Sequence, residues 1–180
     1  MLIPKLDPLN QLGLFCYDRV MYKDALQFTK DNECYTPKSV VEFFGRFDYD
    51  PATTKEKAEE FGIRDYDTID TDGLSRDWNF NKIWINPPFT MKYEFLKKAV
   101  ETYEKYGNEI YILLPIGFMT TKKFHDAMKR WGGVVYLPNS RIKFESGSGR
   151  KFTSPAFGSI VLKIQKDWNV VTVDIKNLLC

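Results

Sequence analysis

Four consecutive residues stand out for the chemistry they could do: Asn86, Pro87, Pro88 and Phe89. A proline ring fixes φ at about −65° and leaves no backbone N–H. The stretch is therefore stiff and rich in carbonyl oxygens that face no local donor. A side-chain amide leads it and an aromatic ring closes it. None of its side chains titrates near neutrality, so its chemistry must come from positioning and electrostatics. The plain alternative is a rigid turn between a strand and a helix, and four residues alone are a weak signal.

Other common kinds of site fit poorly. One histidine, His125, leaves little room for a His-based zinc site or a Ser-His-Asp triad. Cys16, Cys34 and Cys180 lack metal-ligand spacing and suit reduced thiols in a cytosol, so no metal site is expected.

The elements around the tetrapeptide follow from patterning. Thr36 is a fit N-cap for a helix with Pro37 in its first turn, and Gly45 can end that helix. Residues 46–50 alternate like a short strand that Pro51 closes. Thr53 or Thr54 can cap a helix over 55–61, followed by a loop holding Asp65, Asp67, Asp70 and Asp72. Residues 82–85 (KIWI) read as a buried strand that the Asn86 turn stops. An amphipathic helix is predicted over 91–106, ended by Gly107, and an apolar strand over 109–114, ended by Pro115. A basic helix follows over 122–131, ended by Gly132-Gly133, then a strand over 134–137. Residues 141–144 and 156–164 could pair across a loop, and 170–173 could form a last edge strand. Strands alternating with helices imply an α/β fold with a mostly parallel sheet and helices on both faces, made mixed by the C-terminal pair. In such sheets ligands sit at the carboxyl ends of strands.

The tetrapeptide resembles the catalytic (D/N/S)-PP-(Y/F/W) motif of amino-methyltransferases that use S-adenosylmethionine. The resemblance explains the residue types. An exocyclic amine on adenine is a poor nucleophile, because its lone pair is delocalised into the ring. With both N–H bonds accepted by Asn86 Oδ1 and the Pro87 carbonyl, the nitrogen can pyramidalise towards the sulfonium methyl. Phe89 can stack on the base, which must be flipped out of a duplex to be reached.

Further segments fall in order along the chain: Glu33-Cys34-Tyr35-Thr36-Pro37, Phe47 to Ala52, Asp72-Gly73-Leu74 with Trp78 after it, Leu114-Pro115, and Arg141-Ile142-Lys143-Phe144. As an ordered set around Asn86 to Phe89, they resemble the phage-type Dam family of DNA adenine-N6 methyltransferases, from about residue 33 to about residue 163. The resemblance implies a Rossmann-like S-adenosylmethionine-dependent fold. It implies Tyr35, Thr36 and Pro37, Asp50, Pro51 and Ala52, and Asp72 and Gly73 as cofactor-binding residues. The helix start after Thr36 would seat the methionine carboxylate, Asp50 would hold the ammonium, and Asp72 would contact the adenosine. Three features depart from the general pattern. No Gly-x-Gly follows the first strand, position 34 is Cys where the family often has Trp, and the short stretch from Asp50 to Asn86 implies a trimmed sheet.

Ninety-one residues follow Phe89, and predicted strands and helices fill most of them. The expected organisation is an N-terminal extension over 1–32 and one methyltransferase domain over 33–180, without a separate target-recognition domain. Duplex DNA would then be met by a loop over 139–155 carrying Arg141, Lys143, Arg150 and Lys151, with Phe144 and Phe152 interleaved. A homodimer would enlarge its footprint. Two alternatives stay open: the same chemistry on an RNA base or a protein glutamine, and an inactive nucleic-acid-binding module of the same fold.

Composition agrees with this organisation. The chain has 180 residues, 43% hydrophobic and 16% aromatic, enough for a core and unlike a disordered tail. The longest apolar run, 110–119, is interrupted by Pro115 and Gly117, whereas a membrane span needs about 20 apolar residues. The N-terminus lacks a signal-peptide pattern, so the expected place is the cytoplasm, a host's if the gene is viral. The formal net charge of +2 hides an asymmetry. Residues 1–90 hold 11 Lys+Arg against 16 Asp+Glu, a net of −5, and residues 91–180 hold 15 against 8, a net of +7. An acidic half suits a cationic cofactor and a basic half suits a polyanion.

Overall fold

Glu109–Pro115 (EIYILLP) is apolar on both of its faces, so it belongs inside a sheet covered on both sides. It takes that place in a computed structural model that describes residues 34–146 and 157–174. All of them lie in the unit Glu33–Cys180. The expected N-terminal extension, 1–32, lies outside the described residues.

In chain order the strands are β1 (Cys34–Tyr35), β2 (Tyr49–Asp50), β3 (Asp65–Tyr66), β4 (Lys82–Ile85), β5 (Glu109–Pro115), β6 (Gly132–Pro138), β7 (Glu145–Ser146), β8 (Ser159–Gln165) and β9 (Asn169–Val173). The helices are α1 (Lys38–Phe43), α2 (Lys55–Phe61), α3 (Lys92–Tyr106) and α4 (Lys122–Ala127). Seven strands form one sheet in the order β3-β2-β4-β5-β8-β6-β9. Every neighbouring pair is parallel except those made by β8, which runs antiparallel to β5 and β6. The fold is a Rossmann-like, mixed and mostly parallel α/β sheet. Between β2 and β4 the chain adds only β3, two residues long, so the sheet is trimmed there.

Ile83, Ile85, Ile110, Ile112 and Leu114 face one side and pack under Phe95, Leu96 and Ala99 of α3 and Phe124 of α4. Trp84 and Tyr111 point the other way and meet Phe44, at the end of α1, and Phe47. Two helices formed where the sequence placed them. Thr54 Oγ1 accepts the Lys57 N–H at 3.3 Å and caps α2. Gly107, at φ 66°, ends α3.

Several expectations are corrected. Thr36 is not an N-cap: Pro37 takes that position and makes no side-chain cap bond. The strand expected over 46–50 shrinks to Tyr49–Asp50, because Asp48 turns its carboxylate to the Lys82 N–H. The helix after residue 121 ends at Ala127, short of 131. Gly132 and Gly133 do not stop a helix; they begin β6. A Cβ on Gly133 would lie 2.9 Å from the Lys163 carbonyl oxygen, a backbone atom, and would also displace the Leu162 side chain, so glycine suits the close approach of β6 to β8 there. Residues 141–144 do not pair with 156–164. They run as irregular backbone, and β8 pairs with β5 and β6 instead.

Candidate active site

After β2 the chain steps outwards to β3, then returns to lay β4 on the other side of β2. That reversal is the topological switch point of the sheet, where a crevice opens outside the carboxyl ends of the strands. Tyr49 pairs with Ile83 in register. The Asp50-Pro51-Ala52 turn and the Asn86-Pro87-Pro88-Phe89 turn therefore leave the sheet side by side.

Asp50 is 1% exposed. Its Oδ1 accepts the Ala52 N–H at 2.9 Å. Burial disfavours the charged form and pushes its carboxyl up to about 7, against the opposing pull of that N–H. Pro51 is buried and Ala52 half-buried. The turn is fastened to β3: the Asp67 N–H donates to the Asp50 carbonyl at 2.9 Å, and the Thr53 N–H to the Asp67 carbonyl at 3.1 Å.

Asp67 is a site-neighbouring acid that the sequence placed only in an Asp-rich loop. Its carboxylate accepts the Tyr49 hydroxyl and lies 3.6 Å from Arg76 Nη1. Burial and the bond to Asp67 push the Tyr49 hydroxyl far above its usual range. The Arg76 guanidinium lies 5.2 Å from the centres of both the Tyr49 and Phe80 rings. The two buried acids thus differ: Asp67 is paired with a hydroxyl and a cation, whereas Asp50 has one backbone N–H.

Asp72 is exposed and holds φ at 49°, a left-handed conformation in which aspartate is over-represented. Its Oδ1 accepts the Leu74 N–H at 3.3 Å. Gly73 is buried and lies directly against Pro51. The Gly73 carbonyl accepts Trp78 Nε1–H at 2.7 Å, which ties this loop to a ring with no exposure. Two of the three predicted cofactor segments are therefore in contact.

The third segment is placed by other bonds. Tyr35 sits on β1, opposite Glu145 of β7. Lys57 of α2 lies 5.5 Å from the Tyr35 ring centre and 2.6 Å from Glu145 Oε2. Thr36 is 2% exposed, and its Oγ1 has no hydrogen-bond partner among the described residues.

Asn86 is half-buried and Pro87 buried; Pro88 and Phe89 are half-buried. Phe89 opens a 3-10 turn, Phe89–Met91, closed by the Met91 N–H on the Pro88 carbonyl at 2.9 Å. Its ring centre is 5.5 Å from that of Phe157.

Residues 141–144 alternate in burial. Ile142 and Phe144 are 1% and 7% exposed, while Arg141 and Lys143 are exposed. This inward anchoring presents both cations to solvent, but it removes Phe144 as a stacking ring. Arg150, Lys151 and Phe152 lie outside the described residues. Among the described residues no helix is long and apolar enough to cross a membrane, and no cluster of three metal-ligating side chains occurs.

Comparison with known proteins places the chain among methyltransferases. Residues 28–177 match the family model of DNA N-6-adenine-methyltransferase (Dam). The DNA N-6-adenine-methyltransferase of Escherichia phage T1 is 31% identical over 109 residues, 57% of this chain and 43% of that protein. That of Haemophilus phage HP1 is 25% identical over 99 residues, 55% of each. The chain spans about half the length of these curated relatives. Among solved structures, a class I S-adenosylmethionine-dependent methyltransferase from Listeria monocytogenes aligns with 68% of this chain and 45% of its own. It does so at 15% identity and a TM-score of 0.42. An O-methyltransferase from Agrobacterium tumefaciens aligns with 70% of this chain and 65% of its own, at 13% identity and a TM-score of 0.39.

Proposed function

The chain belongs to the DNA N-6-adenine-methyltransferase (Dam) family, and from that premise we propose that it transfers a methyl group to the N6 amine of adenine in DNA. One observation carries the reading: the Asn86 turn and the Asp50 turn leave neighbouring strands at the switch point of the sheet. A group that holds an amine and a group that holds a cation then share one crevice.

The residues fit S-adenosylmethionine, which would supply the methyl on a cationic sulfonium. Asp50 is a buried carboxyl with one N–H donor, and a cationic ammonium compensates such a group better than a backbone amide does. Thr36 Oγ1 is a buried oxygen available to the methionine end. Asp72 and Gly73, against Pro51, would border the adenosine.

On the substrate side, Asn86 Oδ1 and the Pro87 carbonyl accept the two N–H bonds of the adenine amine. Holding both protons away from the ring plane would localise the lone pair on nitrogen, facing the methyl. As the N–C bond formed, the S–C bond would break to leave a neutral thioether, and one N6 proton would pass to solvent. Phe89 stacks on the base once it has left the duplex. The gain is one of orientation and needs no side chain that titrates near neutrality. Arg141 and Lys143, with Arg150 and Lys151, meet phosphates and position the duplex.

The test is transfer from tritiated S-adenosylmethionine to adenine-unmethylated duplex DNA, to RNA and to protein side by side, with the DNA then digested to nucleosides. Label in N6-methyl-2′-deoxyadenosine supports the reading. Label confined to RNA or to protein would overturn it, and no heat of binding with the cofactor would point to a binding module.

A further inference from the structure

Lys92 makes contacts that none of these roles uses. Its ammonium donates to the Phe89 carbonyl at 2.8 Å and lies 4.2 Å from the centre of the Phe89 ring. It also lies 5.4 Å from the ring centre of Phe118, in the 3-10 turn after β5. One cation therefore joins the turns that follow β4 and β5.

This placement goes against local preference. Lys92 is the first residue of α3, where the helix dipole disfavours a positive charge. Burial and the nearby Lys123 of α4 lower its proton affinity, and Glu94 on its own helix raises it. Among the described residues no carboxylate forms an ion pair with it; its partners are a carbonyl and two rings. A lysine held against a helix dipole and beside another lysine breaks a local rule, and such breaks are expected at functional sites. The Phe89 ring and its own backbone are what the ammonium grips.

We propose that Lys92 is a positioning residue for Phe89, holding its carbonyl and ring so that the ring meets the flipped base in one orientation. The inference rests on the reading of Phe89 as the stacking ring.

The test compares Lys92→Met with Lys92→Arg, which keeps the charge. One readout is kcat and KM for duplex DNA and for S-adenosylmethionine. The other is the fluorine resonance of 4-fluorophenylalanine placed at position 89 alone, which needs no activity. Lys92→Met is expected to lower kcat about tenfold or more, leave KM for the cofactor unchanged, and broaden or split the fluorine line. Lys92→Arg is expected to keep most of kcat and a single line. Lys92→Gln replaces the Met variant if that variant melts before assay. A Met or Gln variant with wild-type kcat and an unchanged fluorine line overturns the inference. If the wild-type chain methylates no DNA, the proposed function fails, and the fluorine line still decides whether Lys92 holds the ring.

Discussion

Gly73 is packed so closely on Pro51 that a Cβ at position 73 would fall 2.0 Å from the Pro51 carbonyl oxygen and 2.9 Å from its Cβ. Neither neighbour is the free end of a flexible side chain, so the backbone itself must move to accept any larger residue. Gly73→Ala should therefore destabilise the protein by about 1–3 kcal/mol and loosen the Asp50 turn. Thermal melting and cofactor titration check both effects. An unchanged melting temperature with unchanged cofactor affinity would show that the close approach is not needed.

Asp50 gives a pH dependence with a definite sign. Its folded-state value of about 7 stands above the ordinary 3.8, so the folded chain holds this proton more tightly than the unfolded chain. The stabilisation from this group is complete below the ordinary value and is lost as pH rises towards about 7. Asp50→Asn should keep the bond from the Ala52 N–H and flatten that slope in melting experiments. In the proposed role the charged form binds the cofactor, so wild-type affinity should climb with pH and level off above about 7. The Asn variant should bind about tenfold to a hundredfold more weakly, without that climb. Identical pH profiles for the two proteins would rule out Asp50 as the ammonium's partner.

Arg141 and Lys143 are presented by buried neighbours, and the two functions can be separated. Replacing both by Ala should reduce the slope of log K against log salt for duplex DNA by about 2 with little change in melting. Ile142→Ala should instead cost about 2–5 kcal/mol of stability. A salt slope that stays at the wild-type value would mean that these two cations do not meet phosphates.

The parts of the fold legible in the sequence are those set by local chemistry. Thr54 at the start of α2, Gly62 in a left-handed conformation at its end, Gly107 at the end of α3, and the KIWI run before Asn86 formed as local chemistry dictates. What escaped is set by partners distant in sequence. β1 and β7 are two residues each and exist only by pairing with one another. Gly132 and Gly133 look like a helix stop until β8 and the chain at Asp167 are laid against them. Residues 141–144 alternate as a strand would, yet their alternation comes from the burial of Ile142, beside Val40 and Phe44 on the sheet face near α1, and of Phe144. At the site, the Asn86 and Asp50 turns could be read from prolines at strand ends. The roles of Asp67 and Arg76 around Tyr49 could not, since nothing in a loop of four aspartates says which one is buried.

The most direct measurement is methyl transfer from tritiated S-adenosylmethionine by wild type and Asn86→Ala, offered duplex DNA, single-stranded DNA, RNA and protein side by side. The expected result is label on N6 of adenine in DNA for the wild type. For Asn86→Ala a loss of about a hundredfold or more is expected, with cofactor affinity kept. Full activity without Asn86, or label on RNA or protein and none on DNA, would contradict the assignment of the Asn86 turn as the holder of the adenine amine.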